Sequence, residues 1–94
     1  MQVEFHGEAC ELIVTRYARP QNIALRLVDA EGLPIATASV NPDFLLEEGV
    51  VAIKDYSENA GILAALVAAG VVEPTGKTIP IGFAQAHLCR LRVK

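Results

Sequence analysis

The chain has 94 residues, 8 basic and 11 acidic, for a formal net charge of −3. That length allows one domain, spanning 1–94. Hydrophobic residues make up 52%, which argues against disorder, and the acidic balance with no Lys/Arg cluster argues against a dedicated nucleic-acid binder.

In chain order, residues 2–5 alternate, with Val3 and Phe5 facing one way. His6-Gly7-Glu8 reads as a turn, and residues 9–17 as a second strand with Cys10, Leu12 and Val14 on one face. Pro20 marks a loop before a strand at 22–29, with Ile23, Leu25 and Leu27 inward. Residues 30–32 form a turn and residues 33–40 a fourth strand, giving a meander. Asn41-Pro42-Asp43 ends it. Phe44, Leu45 and Leu46 are expected to anchor the next loop to the core, with Glu47, Glu48 and Gly49 in solvent. Residues 50–54 form a short strand that feeds a helix.

That helix is placed at about 56–69. Asp55 and Ser57 are candidate caps, Asp55 and Glu58 have capping-box spacing, and Gly70 supplies the exit. Ile62, Leu63, Leu66 and Val67 form its apolar stripe. The apolar run 60–72 is about thirteen residues, short of the roughly 20 needed to cross a bilayer. Residues 73–78 read as a turn, 79–82 as an extended connection, and 83–93 as a last strand with Phe83, Gln85, His87, Cys89 and Leu91 on one face. The expected class is α+β: a mainly antiparallel sheet of five to six strands packed against one α-helix.

Few residues suggest chemistry. His6 and Cys10 flank the first turn, and His87 and Cys89 share a face, so the four would make a zinc-type site if their strands were neighbours. The spacing matches no metal signature, and a free cysteine usually packs as a small hydrophobe. No metal, cofactor or catalytic residue is therefore assigned. Gly76-Lys77-Thr78 lacks the earlier glycine of a phosphate loop, since position 71 is Val, and it follows a helix instead of preceding one. Arg16, Arg19, Arg26, Arg90 and Arg92 would bind nucleic acid only if they gathered on one sheet face. The N-terminus has no basic and apolar leader pattern, so the expected setting is the cytoplasm with reduced thiols.

The segment Asp55-Tyr56-Ser57-Glu58-Asn59, the helix 62–70, then Glu73-Pro74-Thr75-Gly76-Lys77 and Gly82-Phe83 resemble the DUF4313-like family of small bacterial proteins often carried on mobile elements. His6-Gly7-Glu8 and Leu27-Val28-Asp29 fit the same likeness. The resemblance implies no activity and no catalytic residues. It implies a small accessory protein, with inhibition of host defence as one such role.

The expected function is thus a non-enzymatic binding module acting through a protein–protein surface. Asp55, Tyr56, Ser57, Glu58, Asn59, Pro74, Thr75, Gly76 and Lys77 are the candidate surface, and a protein partner or a second copy is the candidate occupant. The alternatives are a metal-binding protein or enzyme using His6, Cys10, His87 and Cys89, and a weak nucleic-acid binder.

Overall fold

The computed structural model describes residues 1–93. The fold is antiparallel α+β with one short helix. β1 (Gln2–Phe5), β2 (Glu8–Arg16), β3 (Ile23–Val28) and β4 (Pro34–Thr37) form one four-stranded sheet in that order. β5 (Ser39–Val40), β6 (Val50–Ile53), β7 (Val72–Ile81) and β8 (Ala84–Leu91) form a second, in the order β5-β6-β8-β7. The helix α1 (Ile62–Ala68) follows a 3₁₀ turn at Ser57–Asn59.

Two sheets replace the single larger one expected, because the stretch 33–40 is not one strand. Buried Ala38 stands between β4 and β5. Its N–H donates to Leu25 O in β3 at 2.8 Å, and its carbonyl accepts from Lys54 N just beyond β6, also at 2.8 Å. At this residue the chain changes partner from the first sheet to the second. Ser39 Oγ, beside it, accepts from Leu25 N at 3.0 Å. Small side chains permit this close crossing, and hydrophobic alternation carries no signal of a change of partner.

The sheets enclose a core in which Val3, Cys10, Leu25 and Leu27 face Val51, Ile53, Cys89, Ile62 and Leu66. All four residues of β6 are buried, the pattern of a strand covered on both faces. α1 packs between β1 and β7, the outermost strands of the two sheets.

The helix is shorter than the expected 56–69. Asp55 does cap it, but across a turn: its Oδ1 accepts from Gly61 N at 2.9 Å and Leu63 N at 3.1 Å. Between them the chain cannot be α-helical. Asn59 is buried and its Nδ2 donates to Thr37 O at 2.7 Å, while Gly61 sits at φ +95°, a conformation glycine alone adopts without penalty. Ser57 is the first residue inside the 3₁₀ turn, at φ +56°, and does not occupy the cap position of α1, which falls to Gly61. Glu58 pairs with Lys54 at 2.7 Å, so the capping box is not formed.

The second correction concerns 73–82, expected as turn and connection. These residues belong mostly to β7, which pairs with β8 along its length except for an irregularity between Pro74 and Lys77. Thr75 and Gly76 lie inside that bulge, with Gly76 at φ +84°. Such an extra segment bends a strand without ending it. The actual turn is Gly82-Phe83. Gly82, at φ +59°, takes the first central position of a two-residue hairpin loop. Phe83, expected as the first residue of the last strand, instead sits in that turn and is fully exposed (112%).

Candidate interaction surface

The loop between β5 and β6 (residues 41–49) departs furthest from expectation. Phe44 is 50% exposed and Leu45 67% exposed, although both were expected to anchor the loop. Its anchoring is polar instead. Asn22, buried at the start of β3, makes three hydrogen bonds to it. Its Nδ2 donates to Asn41 Oδ1 and to Phe44 O, each at 2.9 Å, and its Oδ1 accepts from Leu46 N at 2.8 Å. Asn41 Nδ2 in turn donates to Arg19 O at 3.1 Å. Pro42 is buried and Leu46 half-buried.

Two ion pairs tie the far side of the loop to both sheets. Glu47 meets Arg90 of β8 at 3.2 Å, and Glu48 meets Arg16 of β2 at 3.1 Å. Each pair is exposed and contributes little alone. Together they bridge the end of the loop to one strand of each sheet. A backbone held at so many points presents Phe44 and Leu45 outward with little freedom left to lose.

Two depressions adjoin the loop. The first, about 300 Å³, lies against Gln21, Asn22, Leu45, Leu46 and the Arg16–Glu48 pair. The second, about 210 Å³, is lined by Leu46, Glu47, Val50, Thr75, Lys77, Leu88 and Arg90. Its floor is apolar and its rim carries Lys77 and Arg90. A wider groove of about 750 Å³ opens between the ends of β2 and β8, where Val14, Tyr17, Ile23, Leu91 and Val93 line it. Tyr17 there is held in place, its hydroxyl 2.9 Å from Ser39 Oγ and 3.1 Å from Ser39 O.

The residues singled out from sequence fall in two separate places. Thr75 and Lys77 border the 210 Å³ depression, with the Thr75 hydroxyl donating to Leu88 O at 2.8 Å and its oxygen accepting from Lys77 N at 3.2 Å. Pro74 and Gly76 are exposed in the same bulge. Asp55, Tyr56, Ser57, Glu58 and Asn59 line no part of that depression. Their polar groups are largely used internally: Asp55 on α1, Asn59 on Thr37, and Glu58 on Lys54, whose ammonium also lies 5.5 Å from the Tyr56 ring centre. The Lys54–Glu58 hydrogen bond lifts the Lys54 pKa and lowers that of Glu58.

His6, Cys10, His87 and Cys89 are not assembled. His6 stacks on Phe5 and its Nε2 lies 3.1 Å from Ala60 O. Cys10 and Cys89 are separate buried thiols in the core. Burial raises the pKa of both, that of Cys89 to about 11, so neither is a ready nucleophile or ligand. Among the described residues no group of three or more His, Cys, Asp or Glu side chains is placed to hold a metal ion. The arginines do not share one face. Arg16, Arg90 and Arg92 each pair with a glutamate, and Arg16 and Arg26 lie on the first sheet whereas Arg90 lies on β8 of the second. Among the described residues no helix is long and apolar enough to cross a membrane.

A local signal for the loop was present in the sequence. Phe44-Leu45-Leu46 is an apolar triplet with no strand or helix period, flanked by Asp43 and Glu47-Glu48. Asn22, buried at the head of the apolar run that begins at Ile23, was the residue that sequence reasoning missed. The chain matches no family model, no curated protein and no solved structure.

Proposed function

We propose that this protein is a small cytoplasmic accessory module, without catalytic activity, that acts by binding another protein chain through the surface centred on Phe44 and Leu45. The single observation that carries this reading is the contrast within the 41–49 loop: a backbone held at Phe44 and Leu46 by the buried Asn22 side chain, and two large apolar side chains left in water. Solvent-exposed apolar groups on a pre-ordered backbone are what central interface residues need, because little conformational freedom is lost on contact. Thr75 of the bulge and Lys77 beside it extend the surface on one side. Membership of the DUF4313-like group, and with it a mobile-element setting, is part of the same proposal and rests on the sequence resemblance alone.

The test is affinity capture from bacterial cells with the wild-type chain and with Phe44→Ser/Leu45→Ser, followed by mass spectrometry. Proteins retained by the wild type and lost by the double variant are the expected result, with unchanged circular dichroism showing that the fold survives. Identical capture by both chains, together with identical self-association, would reject the surface.

A further inference from the structure

We propose that the occupant of this surface is a second copy of the chain, an inference that rests on the binding reading above and names its partner. The surface has two unlike halves. One is a knob, Asp43-Phe44-Leu45, exposed throughout, acidic and apolar. The other is the adjacent depression of about 210 Å³, with Leu46, Val50 and Leu88 as floor and Lys77 and Arg90 at the rim. It is too small for a drug-sized ligand and has the scale of one large side chain. Arg90 is already matched by Glu47. Among the described residues Lys77 has no carboxylate within ion-pair distance, and Asp43 has no cation.

The hole therefore asks for an apolar side chain beside an acidic one, and that is what the knob offers. Knob and hole are also contiguous, because Asp43-Phe44-Leu45 runs directly into Leu46-Glu47, which form a wall of the hole. A patch that carries both members of a complementary pair side by side can close on itself about a two-fold axis, each copy giving a knob and receiving one. Strand addition is the competing route to a dimer. It is disfavoured at β7, whose exposed edge carries Pro74 and Pro80, and at β1, which α1 packs against.

A standard interface takes about 800 Å² from each partner, roughly one seventh of this chain's 5604 Å². Knob and hole are a smaller patch, so association in the micromolar range is expected. Sedimentation velocity from roughly 5 to 500 μM, a span centred on that range, should show the 10.0 kDa chain doubling in mass. Asp43→Lys alone and Lys77→Glu alone each place like charges in both contacts, and each should weaken dimerisation about tenfold. Both positions are exposed, so folding is not at stake. Mixing the two variants in equal amounts should restore the dimer, because both contacts in the mixed pair are again opposite in charge.

A wild-type chain that stays monomeric throughout, single variants that dimerise like wild type, or a mixture that fails to recover would each overturn the proposal. If self-association fails while Phe44- and Leu45-dependent capture of a different protein persists, the binding reading survives and only the identity of the partner falls.

Discussion

Replacing Asn22 with alanine isolates the device that shapes the proposed surface. The side chain is 3% exposed and makes bonds of 2.9, 2.9 and 2.8 Å to Asn41, Phe44 and Leu46. Each neutral hydrogen bond contributes about 0.5–1.5 kcal/mol net, and stranding a buried partner adds to the loss. Here the stranded groups lie on a surface loop and can reach water once it loosens. The loss should therefore level off at about 2–3 kcal/mol, or roughly 10–20 °C in Tm for a domain of this size. Urea unfolding by circular dichroism reads the global part, and amide exchange at Leu46 reads the local part. The Leu46 amide should lose most of its protection while those of β2 and β3 keep theirs relative to global stability. Asn22→Asp is the matched control. It keeps the acceptor for Leu46 N but turns a carboxylate oxygen toward Asn41 Oδ1 and Phe44 O. That environment disfavours the charged form and raises the folded-state pKa, so this variant should regain stability as the pH falls through the carboxyl range. An Asn22→Ala chain within about 0.5 kcal/mol of wild type, with Leu46 still protected, would refute the claim that Asn22 holds the loop.

Leu66→Ala, at a fully buried site where α1 meets the core, should cost about 2.5–4 kcal/mol by urea unfolding; a cost below about 1 kcal/mol would show the helix to be peripheral. Gly61→Ala meets no atom within 4 Å, so its expected loss of about 1–2 kcal/mol comes from the φ of +95° alone, and a neutral result would mean that the turn relaxes freely. Burial raises the folded-state pKa of both cysteines, Cys89 to about 11 from an ordinary 9.0. The unfolded chain therefore releases these protons first, and stability should be intact below about pH 9 and fall between pH 9 and 11. Cys89→Ala should flatten that fall, and a thiol reagent at pH 8 should modify neither cysteine until denaturant is added; rapid reaction of the native protein would contradict their burial.

How much of this was legible in the sequence depends on which physical signal each feature leaves. The strand faces were legible because Val3, Cys10, Leu12, Val14, Leu25 and Leu27 obey a period of two, and all are buried or half-buried. Asp55 was legible as a cap from residue type alone. Its reach was not, since the Asn59–Thr37 bond that displaces the helix start joins positions 22 apart. The break at Ala38 left no trace in hydrophobic alternation, because pairing partners are a property of the fold. Thr75-Gly76 carries ordinary turn chemistry, and a bulge within a strand uses the same residues. The loop 41–49 hides its anchor for a related reason. Residue type points to Phe44 and Leu45 as anchors, whereas the loop is held by the buried Asn22, whose partners are remote in sequence.

The chain displays a second exposed aromatic, Phe83, and the two make a sharp comparison. Phe83 is the more exposed, and exposure alone would rank it first. It stands at the tip of the β7–β8 hairpin. There the pairs Ile79–Ala86, Pro80–Gln85 and Ile81–Ala84 lie beyond the stretch of β8 that β6 reaches, His87 to Arg90. A two-stranded ribbon without a third strand is only marginally stable by itself, so binding there must also order its backbone, and that opposes affinity. Phe44 is held by bonds already made in the free protein. Phe44→Ser should therefore weaken association more than tenfold, while Phe83→Ser should leave it within about twofold, the difference between a pre-ordered and an unbraced contact. Both should leave Tm nearly unchanged, as expected of exposed positions. The reverse ranking would place the contact on the hairpin and remove the bracing of the loop as the reason for its display.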